Sequence, residues 1–442
     1  MKKFFGTDGI RGIANTDLTP ELVFRVGRAA SRILGKRKIL VGKDPRVSSD
    51  MLEGALVSGL LSAGANVVTL GMIPTPGVST LTNHENADAG IMISASHNPL
   101  EHNGIKIFGK RGLKLPDSQE ESIEKLLHAE KDDGERPTGK EIGRLSKLSN
   151  AGEIYLEGLK KSFPHSLEKF HIALDCAYGA TSLIAPQLFS LLGARVSAHY
   201  ATPDGEKINL NCGATHLEAI AKATQEVKAD FGIAFDGDGD RALFVTKNGE
   251  TVNGDVILAG LALHWKKIGK LRGPVVTTVM ANFGLEQTLN AHQIPMLRTP
   301  VGDRYVLEEM LKLKANLGGE QSGHIILLDH GVTGDGLSTA LHVLEMVIES
   351  GWSFDDLRGL IKTFPQLLVN VSGIDLRRFK DEEKVKQAIS KEEALLKGRG
   401  RIVVRPSGTE PLVRVMAEGP DADELKALVG RIAKTIEETC KA

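Results

Sequence analysis

The chain has 442 residues, of which 41% are hydrophobic and 25% charged, with a formal net charge of −1. That length exceeds one compact core and predicts three or four domains, and the composition excludes a largely disordered chain. The near-neutral balance argues against a nucleic-acid-binding surface.

Cys176, Cys212 and Cys440 are widely spaced with no C-x-x-C pair, which fits reduced thiols and offers no zinc site. The sequence turns polar at Gly6, so no signal-peptide stretch is expected. No apolar run approaches the about 18 residues of a membrane helix. A cytoplasmic protein is the expectation.

In chain order, residues 18–34 read as a helix, capped by Thr19, with Pro20 in its first turn and Leu22, Val26, Ala29 and Ile33 on one face. A strand at 39–41 follows, then a helix that Ser49 can cap and Gly64 end, then strands at 67–70 and 90–93. Alternating strands and helices imply parallel sheets covered on both faces. The rhythm restarts with a strand at 172–174, a helix at 183–192 and a strand at 231–235, and again with 274–279, the stretch after Asn282, and 315–317. In each unit a buried-looking strand runs into a polar, glycine-containing loop: 94–98, 236–241 and 318–324. Ligands gather at the carboxyl ends of strands in open α/β sheets, so three such ends suggest one cleft built from three domains. The tail differs, with strands expected at 366–371, 401–404 and 412–417 and a helix at 422–439; residues 130–141 read as a loop or linker.

Four segments carry chemistry. In Asp236-Gly237-Asp238-Gly239-Asp240-Arg241, alternate aspartates project to one side of an extended loop and offer hard oxygen ligands suited to Mg²⁺. An EF-hand fails because its glycine position holds Arg241, and a dinucleotide fingerprint fails because a strand and an Asn248-Gly249 turn follow, not a helix. In Ile93-Ser94-Ala95-Ser96-His97-Asn98-Pro99 no nucleophile elbow surrounds either serine, so a covalent intermediate there requires a nearby metal and cations such as Lys106 and Arg241. His97 reads equally as a scaffold residue or a proton carrier. Gly319-Glu320-Gln321-Ser322-Gly323-His324 offers donors and acceptors for a polyhydroxylated ring, and a tight turn would account for it as well. Arg405-Pro406-Ser407-Gly408-Thr409-Glu410-Pro411 has the composition of a phosphate cradle.

Taken in this order, and with the opening Phe5-Gly6-Thr7-Asp8-Gly9-Ile10-Arg11-Gly12 and the Val301-Gly302-Asp303-Arg304-Tyr305-Val306 stretch, these segments resemble the α-D-phosphohexomutase superfamily over essentially the whole chain. The likeness is greatest to its bacterial branch acting on glucosamine phosphates. The resemblance implies an α/β protein of four domains around a central cleft: three similar mixed-sheet α/β/α domains at 1–152, 153–252 and 253–365, then a smaller α+β C-terminal domain at 366–442. It makes Ser96 the phosphoserine and a metal ligand beside Asp236, Asp238 and Asp240, with one Mg²⁺ per chain. It assigns sugar hydroxyls to Glu320 and Ser322, and the phosphate not being transferred to Arg405, Ser407, Gly408 and Thr409. Arg11, Lys106 and His324, with Arg241, fall where proton transfer or charge stabilisation occurs, and their division of labour stays open.

The implied enzyme is an isomerase that interconverts glucosamine 6-phosphate and glucosamine 1-phosphate through a 1,6-bisphosphate, on the way to UDP-N-acetylglucosamine and cell-wall polymers. Glucosamine or glucose 1,6-bisphosphate would be its activator. The implied partners are small sugar phosphates, with no nucleic acid and no membrane, and a homodimer is left open. The rival readings are a phosphomannomutase or phosphoglucomutase of the same superfamily, a metal-dependent sugar phosphatase, and a non-catalytic sugar-phosphate sensor.

Overall fold

The structure, a computed structural model, describes residues 4–6, 8–129, 134, 136–406 and 412–441. They fall into two compact units, Met1–Thr278 with Leu297–Arg358, and Val279–Met296 with Gly359–Ala442.

The first unit carries three sheets. The largest has seven strands in the order Phe5–Gly6, Gly9–Ile13, His102–Phe108, Ala89–Ile93, Ile39–Lys43, Val67–Met72, Leu145–Lys147. Its second half is parallel, as alternation of strand and helix requires, and its first half is antiparallel. Helices Pro20–Leu34 and Ser49–Ser62 bury Val23, Val26, Leu52 and Leu56 against Val41, Ile91 and Ile93. They approach so closely that a Cβ on Gly59 would lie 2.1 Å from the Phe24 carbonyl oxygen. Thr19 caps the first helix, its Oγ1 accepting from Leu22 N. The second helix begins at Ser49 itself, whose hydroxyl donates to Asp44 instead of capping.

The second sheet runs Thr251–Val252, Ala242–Thr246, Phe231–Phe235, His171–Asp175, Arg195–His199, and the third Met296–Thr299, Val275–Thr278, Leu317–Gly319, Ile325–Leu327. All three sheets share one device: a buried parallel strand turns back into an antiparallel partner. Ile93 pairs with Ile105, Phe235 with Ala242, and Gly319 with Ile325. The loops closing these three hairpins are the ones that hold Ser96, the three aspartates and Glu320. They are topologically equivalent, which is why the sequence rhythm repeats.

The second unit is built on a three-stranded antiparallel sheet, Gln366–Ser372, Leu412–Glu418, Arg401–Pro406. Helices Glu383–Leu396 and Ala422–Thr439 cover it, burying Val385, Leu425, Leu428, Val429, Ile432 and Ile436 on Val371, Val413 and Val415. Helix Phe283–Ala291, capped by Asn282, packs in this unit, where Asn282 exchanges hydrogen bonds with the Phe364 backbone (2.9 and 3.0 Å). No helix among the described residues is long and apolar enough to cross a membrane.

Candidate active site

At the end of strand Ala89–Ile93 the backbone turns sharply. Ser94 N donates to Gly104 O (3.0 Å), Ser94 Oγ donates to Asp44 Oδ2 (2.6 Å), and Ser96 N donates to Ser94 Oγ (2.9 Å). Ser96 sits in the left-handed region at φ 53°, a conformation that costs a non-glycine residue about 1 kcal/mol or more and persists only when its surroundings impose it. Its Oγ donates to Asp236 Oδ2 at 2.6 Å. His97 Nδ1 lies 3.2 Å from the same Oγ, and burial, then the charges of Arg241 and Arg11, push its pKa down to about 3. The His97 ring is therefore neutral near pH 7, a hydrogen-bonding partner of the serine and not a carrier of positive charge.

The aspartate loop meets this turn directly. A Cβ on Gly237 would lie 2.7 Å from Ser96 O, so only glycine admits the approach. Oxygens of Asp236, Asp238 and Asp240, all buried, lie within 4.8 Å of one another. Lys106, on the antiparallel strand His102–Phe108, reaches Asp238 Oδ2 at 2.7 Å and Asp240 Oδ2 at 3.1 Å, and Thr75 Oγ1 also donates to Asp238 Oδ2. Burial disfavours charge on Asp240, but Lys106, His324 and Arg241 outweigh it and hold its carboxyl well below the usual range. Burial, followed by its two aspartate neighbours, drives Asp236 well above that range. Asp238 Oδ1 and Asp240 Oδ1 are buried and make no hydrogen bond. Hard oxygens that converge, with two of them lacking a hydrogen bond, fit a Mg²⁺ ion, which would neutralise the crowded charge.

Around this pair of loops lies a ring of alternating charge. Asp8 pairs with Arg11, with Lys106 (3.1 Å) and with Lys114 (2.5 Å), and Lys114 also reaches Asp303 (2.5 Å). Arg11 Nη1 donates to Asn98 Oδ1 at 3.2 Å, which brings its guanidinium to the serine loop. Arg241 Nε lies 3.9 Å from both Asp236 Oδ2 and Asp240 Oδ1. His324 is buried between Asp240 (3.6 Å) and Asp303 (3.4 Å). The Gly334 N–H donates to its Nε2 (3.0 Å) and favours a neutral ring. Burial also opposes charge, but Asp240, Asp303 and Glu320 raise the ring to about 9, because full carboxylate charges outweigh one amide dipole.

Glu320 and Ser322 stand half-buried in the third hairpin, and burial raises the Glu320 carboxyl, with His324 opposing. Ser96, Arg11, Lys106, Arg241, His324, Glu320 and the aspartates thus belong to one connected group. Arg405 lies in the second unit at the end of strand Arg401–Pro406, directly opposite Arg414 in the ladder; burial, then Arg414, lowers its pKa. Ser407, Gly408 and Thr409 lie outside the described residues. Sequence reasoning gave no role to Arg46, Thr75, Lys114 or Asn209. Asp8 and Asp303 stood in segments it quoted, and their charges beside arginines were the available signal.

Models of phosphoglucomutase/phosphomannomutase domains match nearly the whole chain: α/β/α domain I at residues 2–133, domain II at 153–249, domain III at 253–364 and the C-terminal domain at 368–435. The fold is also that of a phosphoglucomutase/phosphomannomutase family protein from Burkholderia thailandensis, with a TM-score of 0.81 at 24% identity over 99% of this chain and 97% of that one. Aspergillus fumigatus N-acetylphosphoglucosamine mutase, solved with GlcNAc-6P and magnesium, gives a TM-score of 0.72 at 18% identity over 100% and 96%. The chain belongs to the phosphoglucomutase/phosphomannomutase family, within the α-D-phosphohexomutase superfamily. Relatives that match over their full length include phosphoglucosamine mutases: that of Brevibacillus brevis is 48% identical over 99% of both chains, and that of Geobacillus thermodenitrificans 50% identical over 99% of this chain and 98% of its own.

Proposed function

We propose that this isomerase interconverts glucosamine 6-phosphate and glucosamine 1-phosphate by relaying a phosphoryl group through Ser96. The observation that carries the reading is the bond from Ser96 Oγ to Asp236 within a buried triad of aspartates ringed by Lys106, Arg11 and Arg241. Phosphorylated Ser96 presents its phosphoryl group to the free O1 of the 6-phosphate. A P–O1 bond forms as the P–Oγ bond breaks, O1 gives up its proton and Ser96 Oγ takes one up to become a hydroxyl, and glucosamine 1,6-bisphosphate results. After the intermediate turns over, a P–Oγ bond forms as the P–O6 bond breaks, Oγ gives up its proton, O6 takes one up, and glucosamine 1-phosphate leaves.

Phosphoryl transfer is catalysed chiefly by positioning and by charge, and Arg11, Lys106 and Arg241 are fixed to meet the oxygens of the transferring group. Asp236, Asp238 and Asp240 would hold Mg²⁺ with an oxygen on Ser96, and the ion would supply Lewis-acid charge neutralisation there. Glu320 and Ser322 bind sugar hydroxyls. Arg405, with Ser407, Gly408 and Thr409, takes the distal phosphate. A hexose 1,6-bisphosphate of glucosamine or glucose primes unphosphorylated Ser96.

Comparison of glucosamine, glucose and mannose 6-phosphates tests the substrate. The largest kcat/KM should belong to glucosamine 6-phosphate. Equal or faster turnover of mannose 6-phosphate would make the chain a phosphomannomutase, and release of inorganic phosphate without isomerisation would make it a phosphatase.

A further inference from the structure

Arg46 follows strand Ile39–Lys43 and is buried, with 2% of its surface exposed. A guanidinium has five N–H groups in a planar fork. Here Nε donates to Asp44 Oδ2 (3.1 Å), Nη1 to Pro99 O (2.6 Å) and His102 O (2.9 Å), and Nη2 to Ser96 O (2.9 Å) and Asn98 O (2.7 Å). Four of the five bonds therefore end on main-chain carbonyls of the loop that carries Ser96. Asp44 fixes the fork and the loop together, because it also accepts from Arg46 N (3.0 Å), Ser49 Oγ (3.0 Å) and Ser94 Oγ (2.6 Å). On the other side Asn209 Nδ2 donates to Ser96 O at 2.9 Å.

We propose that Arg46 is a positioning residue for phosphoryl transfer at Ser96, a role that rests on the reading of Ser96 as the phosphoryl carrier. It touches neither Ser96 Oγ nor the aspartates. What it does is hold the carbonyls of 96, 98, 99 and 102 in one plane of donors, so that the left-handed turn at Ser96 cannot relax. That constraint matters because the serine alternates between a neutral hydroxyl and a phosphate carrying nearly two negative charges. A loop free to follow the charge would move Oγ between the two half-reactions. Transfer is sensitive to such displacement, since a shift of about 1 Å can cost on the order of 100-fold. Lysine keeps the charge, but its compact ammonium cannot span four carbonyls.

The test measures single-turnover transfer from phosphorylated enzyme to saturating glucosamine 6-phosphate, together with steady-state kcat and KM, in wild type, Arg46→Lys and Asn209→Ala. Arg46→Lys should lower the transfer rate and kcat at least about tenfold, with KM and Mg²⁺ affinity within about twofold of wild type. Asn209→Ala removes one tether from the same carbonyl and should lower kcat about threefold, again with KM unchanged. Wild-type transfer in Arg46→Lys, or a rise in KM with kcat unchanged, would overturn the proposal. Should Arg46→Lys not fold, Asn209→Ala decides, and unchanged kcat there overturns it. Absence of phosphate from Ser96 in the wild type would sink the carrier reading itself, an outcome distinct from failure of Arg46 alone.

Discussion

Asp238 meets Lys106 and Thr75 through one oxygen, while its other oxygen is buried without a hydrogen bond. A buried carboxylate oxygen left that way costs on the order of 1–3 kcal/mol unless something binds it. Asp238→Asn keeps the volume and removes one of three charges. Its Mg²⁺ affinity should therefore fall tenfold or more in titration calorimetry, with the far-UV spectrum unchanged. Chelation should stop turnover in the wild type and added Mg²⁺ should restore it; full activity after thorough chelation would contradict the metal reading. At this scale the aspartate loop was legible because its chemistry is written in six consecutive residues. Arg46 and Lys114 were not, because each acts on groups far away in sequence, 50 to 56 residues for Arg46 and 106 for Lys114. No local pattern announces such a contact.

Elements were legible where a cap and an apolar face coincide. Helix Ala422–Thr439 was bounded correctly because Asp421 caps it and Leu425, Leu428, Val429, Ile432 and Ile436 share one face. Strand His102–Phe108, which places Lys106, escaped notice because it opens on His102-Asn103-Gly104, a composition that reads as turn. Its antiparallel pairing also makes the sheet mixed where simple alternation suggested parallel. Helix Gly336–Ser350 carries a further consequence. His342 is buried on it, its Nδ1 donating to Ser338 O (2.8 Å), its ring 3.9 Å from that of His330, with Lys270 and Glu345 close by. Burial, then Lys270, lowers His342 to about 4 against its ordinary value of about 6.5. Below pH 6.5 the unfolded chain binds the proton that the folded chain resists, so stability is present above 6.5 and is lost as pH falls through 4. This group alone contributes on the order of 3 kcal/mol across that window. The urea midpoint should drop between pH 6.5 and 4, and His342→Gln should flatten the drop. An identical pH profile in the variant would show that the stability loss arises elsewhere.

For the molecule as a whole, three equivalent hairpin ends carry Ser96, the three aspartates and Glu320, and Arg405 stands in the second unit. The repeats were visible because each buried strand runs into a polar loop. Helix Phe283–Ala291 lies in the third repeat by sequence and packs in the second unit through Asn282 and Phe364. Such an assignment is made by tertiary hydrogen bonds and not by local propensity. A mutase of this design needs a phosphorylated resting enzyme, and that state is directly measurable. Peptide mapping of the intact protein should place one phosphate on Ser96, and mixing with glucosamine 6-phosphate in a single turnover should discharge it with appearance of glucosamine 1,6-bisphosphate. Phosphate on Ser94 instead, or a Ser96 phosphate that survives mixing with the sugar while isomerisation proceeds, would contradict the relay.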